Sequence, residues 1–478
     1  MKQELSEYEK QRQANIARNQ QLLQELRVPN LIDRSQSPKK KLVKQHVPKK
    51  VKKEIAQPTR VSARLRGIAA DNEDHIKRQA RDQSAEAPSN KARKIEKLDQ
   101  SDEKEFLALL NTVRKIPNTE PVKREMTNQK ASTCELSKLT STLSIKHIWA
   151  TVKVTQERIN CSVFHPSNTK LLACAGDVSG YLGFWDVEGS KEADEAGEAD
   201  PVVYMYRPHT RTITDLKFNP ANPSKLFTSS YDGVLQCFDM EHASFEAVSM
   251  GLESFPFTNF DITNDGRTIW FSTSDGELCM KDFRSRADPS IFQLRDKKIG
   301  CIDLHPTDQN LIALASNDRT ATIWDSRMLT GNKAAHYEPV HEFEHGYSVT
   351  SAYWSPLGNK LATTSYDDYI RIFDMQSPNE MTLQSAIKHN NHTGKWVTNF
   401  RARWNKSSAT AALDHQHFVI GSMKHPLEIY SGENGEEIAT LYDGDHITAV
   451  PAVAQFHPTT PTITLLAGNG SGRMVCWN

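Results

Sequence analysis

Five short segments after residue 150 carry basic or aromatic side chains directly before a strand-like run. Cations neutralise phosphate groups, and an aromatic ring can stack on a base or enter a base step. This combination predicts a nucleic-acid-binding surface, although basic residues also occur in loops by chance. The candidate DNA-binding residues are Arg158, Arg211, Lys297, Lys298, Tyr347, Lys395 and Trp396.

Two Asp-x-Arg triplets form a second pattern, one in each of two consecutive repeats. Asp282 and Arg284 make the first triplet, and Asp325 and Arg327 make the second. The Asp belongs to the repeat, so only the Arg carries further information. Both triplets follow a third strand, as does an acidic insertion at residues 188–200, so we expect them at the end of the fold opposite the basic segments. That acidic end would repel DNA and is interpreted as a protein-docking surface.

No catalytic pattern accompanies these residues. The sequence contains no Gly-rich phosphate loop, no Gly-x-Ser-x-Gly, no His-Glu-x-x-His and no spaced Cys/His quartet. Several of the seventeen histidines, such as His165, His305 and His457, belong to the repeat and are interpreted as structural. The sequence therefore indicates a binding protein rather than an enzyme, with no metal and no cofactor.

The elements that position these residues follow from an internal repeat. An aromatic residue, usually followed by Asp, recurs 17 to 19 residues after a polar-Pro pair. Short apolar runs with turn signals lie between, which is typical of four-stranded propeller blades. The sequence predicts an all-β, seven-bladed WD-repeat β-propeller. The seven repeats end near residues 185, 238, 281, 324, 373, 429 and 477.

The last repeat is one strand short, because the chain ends at Asn478. A propeller must close to avoid an exposed sheet edge, so another segment has to supply the missing strand. Residues 145–154 are strand-like and lie just before the first repeat. We expect them to form the outer strand of the last blade and to close the ring.

The first 140 residues differ in composition from the rest. They carry 31 Lys and Arg against 19 Asp and Glu, whereas the remaining 338 residues carry 28 against 40. Few aromatics and many charges predict a largely disordered basic arm over 31–140, followed by the propeller over 141–478. Apolar spacing within 1–30 predicts a helix, which docks on the propeller or on a partner, or is solvated and has no role.

Two basic clusters lie in the arm. Between Arg34 and Arg66 there are twelve Lys or Arg and a single acidic residue. This density indicates a nuclear import signal, a polyanion-binding arm, or both, with a merely solvating tail as the alternative. The candidate import residues are Lys39, Lys40, Lys41, Lys49, Lys50, Lys52 and Lys53.

The seven scattered cysteines show no Cys-x-x-Cys, and most lie in strand-like runs, which indicates free buried thiols in a reducing compartment. No apolar run is long enough to span a bilayer. We therefore expect a soluble, intracellular protein without a membrane partner.

Several stretches resemble the WD-repeat protein 76 and changed-mutation-rate protein family. They include the opening Leu-Ser-Glu-Tyr-Glu, the Arg-rich run at Arg60, and residues 411–418, 426–430, 443–450 and 468–474. Residues 297–364 are also similar to the small subunit of the UV-damaged-DNA-binding complex. The resemblance implies a nuclear, chromatin-associated DNA-binding protein of the DNA-damage response.

The same resemblance bears on both candidate surfaces. The Asp-x-Arg triplets are similar to the double motif of substrate receptors that dock on DNA damage-binding protein 1, the cullin-RING ligase adaptor. The UV-damage subunit inserts a Phe-Gln-His tip into duplex DNA, and the matching positions here are Gly394, Lys395 and Trp396. Because the Phe is replaced, the resemblance implies a looser preference for damaged or modified DNA. The two hypotheses, a DNA binder and a ligase substrate receptor or scaffold, are compatible because they use opposite faces.

Overall fold

The computed structural model describes residues 100–113, 133–191, 200–248, 256–285, 287–330, 337–407, 415–460 and 462–478. The helix predicted over 1–30, the import clusters and residues 192–199 of the acidic insertion lie outside these ranges. The described residues form two α-helices, α1 (Gln100–Val113) and α2 (Thr133–Ser141), one short 3-10 helix (Ser326–Met328) and twenty-eight strands. No helix in these ranges is both long enough and apolar enough to cross a lipid bilayer.

The strands form seven antiparallel four-stranded blades, which confirms the predicted propeller. The first three blades, each given from its innermost to its outermost strand, have the following bounds. Blade 1 is β2 (Ile159–Phe164), β3 (Leu172–Asp177), β4 (Leu182–Ser190) and β5 (Pro201–Tyr206). Blade 2 is β6 (Ile213–Phe218), β7 (Lys225–Ser230), β8 (Leu235–Asp239) and β9 (Ser244–Val248). Blade 3 is β10 (Phe257–Ile262), β11 (Thr268–Thr273), β12 (Glu277–Asp282) and β13 (Ser290–Gln293).

The other four blades follow the same order. Blade 4 is β14 (Ile299–Leu304), β15 (Leu311–Ser316), β16 (Thr320–Asp325) and β17 (His341–Glu344). Blade 5 is β18 (Val349–Trp354), β19 (Lys360–Ser365), β20 (Tyr369–Ser377) and β21 (Glu380–Lys388). Blade 6 is β22 (Arg403–Trp404), β23 (His417–Gly421), β24 (Leu427–Ser431) and β25 (Glu437–Leu441). Blade 7 is β26 (Pro451–Phe456), β27 (Leu465–Asn469), β28 (Arg473–Trp477) and β1 (Val152–Lys153).

The N-terminal strand closes the ring, as the missing strand of the last repeat predicted. Strand β1 pairs antiparallel with β28, with Val152 opposite Met474. The ladder is shorter than the predicted 145–154, and a second contact reinforces it. The backbone N–H of Ser144 donates to the carbonyl of Asn478, and the N–H of Asn478 donates back, both at 3.2 Å. The two ends of the propeller are therefore joined over a longer stretch than the strand alone.

Buried carboxylates on the innermost strands connect neighbouring blades. Asp261 in β10 accepts the backbone N–H of Leu304, and Asp303 in β14 accepts that of Trp354, both at 2.8 Å. Lys217 pairs with Asp261 at 2.7 Å. Because an unpaired buried charge is costly, these contacts fix the register between blades as well as satisfying the carboxylates.

Helix α1 lies within 31–140, the arm predicted to be largely disordered, and packs on the propeller. Phe106 is fully buried, with ring centroids 5.1 Å from Phe184 and 4.5 Å from Tyr204 in blade 1. Leu110 and Val113, four and seven residues further on, are buried in the same cluster. This apolar stripe is short and lies among charged residues, so average composition concealed it. Helix α2 also packs on the propeller, through Leu136 in the cluster of blades 6 and 7.

Candidate nucleic-acid interface

The segments that lead into the innermost strands are here called the rim loops, and in blades 1, 2 and 5 the acidic residue of the turn after the second strand holds them. In blade 1, Asp177 accepts the backbone N–H of Glu157 at 3.1 Å, which fixes the residue next to Arg158. The same contact recurs in blades 2 and 5, from Thr210 to Asp232 and from Gly346 to Asp367, each at 2.9 Å. The repeat therefore positions Arg158, Arg211 and Tyr347 by the same kind of hydrogen bond.

The charge of these carboxylates depends on their surroundings. Burial raises the pKa of Asp177, although its backbone hydrogen bonds act in the opposite direction. Burial also disfavours the ionised form of Asp232, but hydrogen bonds from His209 and from the backbone of Thr210 lower its pKa overall. His209 is itself buried and bonds Thr228 at 2.8 Å, which completes a structural network beneath the rim.

Three of the predicted DNA-binding residues meet at one cavity. A cavity of about 260 Å³ opens at the rim end of the central channel. Arg158 from blade 1, Lys298 from blade 4 and Lys395 from the segment between blades 5 and 6 all line it. These residues are far apart in sequence, so the ring closure and the rim loops together produce this concentration of positive charge.

The segment between blades 5 and 6, residues 389–402, is referred to here as the 389–402 loop. Thr398 donates to the carbonyl of Ile159 in blade 1 at 2.6 Å, and Thr350 in blade 5 donates to the carbonyl of Phe400 at 3.3 Å. Arg158 donates from Nη1 to the carbonyl of Lys395 at 2.7 Å. The loop thus extends across the channel mouth from blade 5 to blade 1.

Trp396 lies at the exposed turn of the 389–402 loop, and 78% of its surface is accessible. Gly394 has φ +63°, a left-handed conformation that favours glycine and lets the chain turn here. This turn belongs to a connection between blades and not to a hairpin of paired strands. Lys395 Nζ lies 5.4 Å from the Trp396 ring centroid, so a cation and an aromatic face solvent together.

The other predicted DNA-binding residues lie on the same face of the propeller but do not line the cavity. Arg211 and Lys297 are exposed on the rim loops of blades 2 and 4. Tyr347 is 58% exposed, and Arg319 Cζ lies 6.0 Å from its ring centroid. Lys297 and Lys298 are adjacent, yet only Lys298 lines the cavity.

Sequence reasoning missed Arg401, which lines the inner part of the same cavity. It also lines a smaller cavity of about 10 Å³ with Cys161 and Arg403. One signal in the sequence could have identified Arg401. It alternates with Arg403 in the segment where the innermost strand of blade 6 was expected. Alternate positions on such a strand share one face, which here is the channel.

The Asp-x-Arg triplets lie at the opposite end of the propeller. Each third strand runs away from the rim, so Asp282 and Asp325 end β12 and β16 at the far face. Arg284 and Arg327 each contact the Asp of their own triplet at 2.6 Å and remain 64% and 63% exposed at the side chain. Hydrogen bonds from Arg284 lower the pKa of Asp282 to about 2. The two arginines are therefore held in the same pose on neighbouring blades.

Two comparisons with known proteins agree with this fold. A family model described as "WD domain, G-beta repeat" matches residues 201–239, 290–325 and 337–374. The first matched segment begins at β5 and ends at β8, so it combines the outer strand of blade 1 with three strands of blade 2. This offset between repeat and blade explains why the ring closes with a strand from the other end of the chain.

Full-length relatives were also found. A protein of Phaeosphaeria nodorum, named DNA damage-binding protein CMR1, is 35% identical over 526 residues, covering 99% of this chain and 98% of the relative. Relatives of the same name in Emericella nidulans and Neurospora crassa are 32% and 33% identical. The first covers 100% of both chains, and the second covers 99% of this chain and 98% of the relative.

Proposed function

This chain belongs to the WD-repeat family of the DNA damage-binding protein CMR1, and we propose that it binds damaged or modified DNA in the nucleus through its rim loops. The relatives' name connects the family with DNA damage. The protein acts as a non-catalytic binding module, and its basic arm adds a second, weaker contact with the polyanion.

The convergence of Arg158, Lys298 and Lys395 beside the exposed Trp396 carries the proposal. The three cations attract the phosphate backbone, which supplies affinity without sequence information. Trp396 then contacts bases, and a damaged or weakly stacked step offers less resistance to an inserted ring. Because the cations bind any phosphate backbone and Trp396 enters a distorted step more easily, distorted DNA is favoured over intact duplex.

Arg284 and Arg327 support a second candidate function, docking on the cullin-RING ligase adaptor DNA damage-binding protein 1. Their identical poses present two guanidinium groups on adjacent blades at the end opposite the rim loops. Because the two ends are separate, adaptor and DNA can bind together. Arg327→Ala should reduce co-purification of the adaptor, and unchanged co-purification would remove this role.

The DNA proposal is tested by binding of the full chain to three matched duplexes, one undamaged, one UV-irradiated and one carrying modified bases. Fluorescence anisotropy over a salt series gives the affinity and the number of phosphate contacts. We expect tighter binding to at least one of the altered duplexes. Equal affinity for all three would contradict a preference for damaged DNA.

A further inference from the structure

The cavity at the channel mouth has an unusual charge balance. Four cationic residues line it, namely Arg158, Lys298, Lys395 and Arg401. Among the described residues that line the cavity, none is acidic. The rest of the lining consists mainly of Thr and Asn side chains, several of which donate to backbone carbonyls, as Asn160 does to Ile213. An enclosed polar space with this balance attracts an anion.

Two of these cations have unused hydrogen-bonding capacity. The Nε atoms of Arg158 and Arg401 are buried, and neither has a hydrogen-bond partner among the residues that the structure describes. Buried donors usually find a partner, and an exception indicates a bound water or ion. For a guanidinium group the expected partner is a carboxylate or a phosphate. Both residues line the cavity, but the two Nε atoms themselves are buried and do not face its open space.

The size of the cavity limits what can occupy it. At about 260 Å³ it far exceeds the space that one water needs. It is also slightly smaller than the pockets of about 300–1,000 Å³ that hold drug-sized ligands. Four cations around this volume match a compact ligand with several negative charges better than a ligand with a single carboxylate.

We propose that this cavity binds a small phosphorylated ligand, held by Arg158, Lys298, Lys395 and Arg401. The ligand lies inside the channel and shares Arg158, Lys298 and Lys395 with the proposed duplex contact, which also uses the exposed Trp396. The phosphate groups could belong to a free metabolite or to the terminal phosphate of a nucleic-acid strand. The site does not depend on the proposed preference for damaged DNA.

Gly300 provides a direct test because it lines the cavity on the innermost strand of blade 4. A Cβ added at Gly300 meets nothing within 4 Å, so a side chain enters open space without disturbing the fold. Gly300→Asp places a negative charge in the cavity, and Gly300→Asn is its neutral match in size. Binding of inorganic pyrophosphate to the full chain is measured by calorimetry for the natural sequence and both variants.

We expect saturable binding of one pyrophosphate to the natural sequence. Gly300→Asn should retain this affinity within about threefold, whereas Gly300→Asp should weaken it by about tenfold or more, because of repulsion at close range. No binding to the natural sequence, or equal affinities of the two variants, would overturn the proposal. Thermal melting of each variant without pyrophosphate shows that the fold is intact.

Two further measurements distinguish the possible sources of the phosphate groups and separate this site from the proposed DNA function. Oligonucleotides with a 5′-phosphate or a 5′-hydroxyl are compared as competitors of pyrophosphate. Stronger competition by the phosphorylated strand assigns the site to strand ends, and equal competition assigns it to a free ligand. If the full chain binds pyrophosphate but does not bind duplex DNA, the proposed DNA function is wrong and the phosphate site remains.

Discussion

Arg158 and Lys395 are 237 residues apart in sequence, yet Arg158 Nη1 donates to the carbonyl oxygen of Lys395 at 2.7 Å. This hydrogen bond joins the rim loop of blade 1 to the 389–402 loop at the channel mouth. It gives Arg158 a positioning role, because one of its donors holds the backbone beside Trp396 and is not available to phosphate.

Arg158→Gln tests this role. The shorter side chain loses the contact with Lys395, so the loop becomes less ordered and duplex affinity should fall by about 1–2 kcal/mol. If Arg158 only positions the loop, the slope of log affinity against log salt stays unchanged. If it contacts phosphate directly, the slope falls by about one. Anisotropy titrations over a salt series distinguish the two outcomes.

Ring closure predicts a large stability effect at the start of the propeller. Deletion of residues 141–153 removes β1, the buried Leu143 and the paired backbone of Ser144. The exposed edge of β28 then lacks a partner, and the melting temperature should fall by many degrees. The control is Ile148→Ala, because Ile148 lies in the same segment but is 75% exposed. Equal melting temperatures for the deletion and the control would contradict closure.

The docking of α1 can be tested at its most buried side chain. Phe106→Ala removes a ring that is fully buried against blade 1, which should lower the free energy of unfolding by about 3–5 kcal/mol. Lys104→Ala, on the exposed side of the same helix, should change it little. Denaturant unfolding of both variants gives the comparison. A small effect of Phe106→Ala would show that the helix adds little to the propeller.

Buried histidines predict a loss of stability in mild acid. Burial lowers the pKa of His417 from 6.5 to about 4. Its Nδ1 donates to the carbonyl of His415 at 2.8 Å, and its Nε2 accepts from Asn405 at 3.1 Å, which requires the neutral ring. Below pH 6.5 the unfolded chain binds a proton that the folded chain does not bind until about pH 4. Stability therefore decreases as the pH falls through this window.

The slope for each such group is about 1.4 kcal/mol per pH unit within that window. Urea unfolding at several pH values between 7.5 and 5 measures the slope. His417→Gln should reduce this slope. An identical slope in the natural sequence and in His417→Gln would rule out this residue as a contributor.

The repeat predicted the fold well because its signal is local. Each aromatic-Asp ending and each polar-Pro pair marks the boundary of a strand, so the seven blades and the missing strand follow from spacing. Helix α1 could not be predicted in the same way. Its stripe from Phe106 to Val113 gains its stability from the aromatic groove of blade 1, which exists only after the propeller has folded.

The candidate site was predictable only in part for a similar reason. The cations of the rim loops could be identified from their place in the repeat. The sequence did not show which of these cations face the channel. Arg295 also lies before an innermost strand, and it is engaged by Asp318 and Glu342 at 2.6 Å each. Arg401 enters the cavity because the 389–402 loop crosses to blade 1. Such contacts between distant blades leave no periodic signal in the sequence.

The most direct test of the account is duplex binding by the paired variant Lys395→Glu with Trp396→Ala. We expect a loss of about 1–3 kcal/mol from the aromatic ring alone, a further loss from the charge reversal, and a shallower salt dependence. The matched control is Arg267→Glu with Met328→Ala, which makes the same charge change and removes an exposed apolar side chain at the opposite end. Weakened binding in the first pair and not in the second is the predicted result. Equal binding by both pairs and the natural sequence would contradict the rim as the DNA-binding surface.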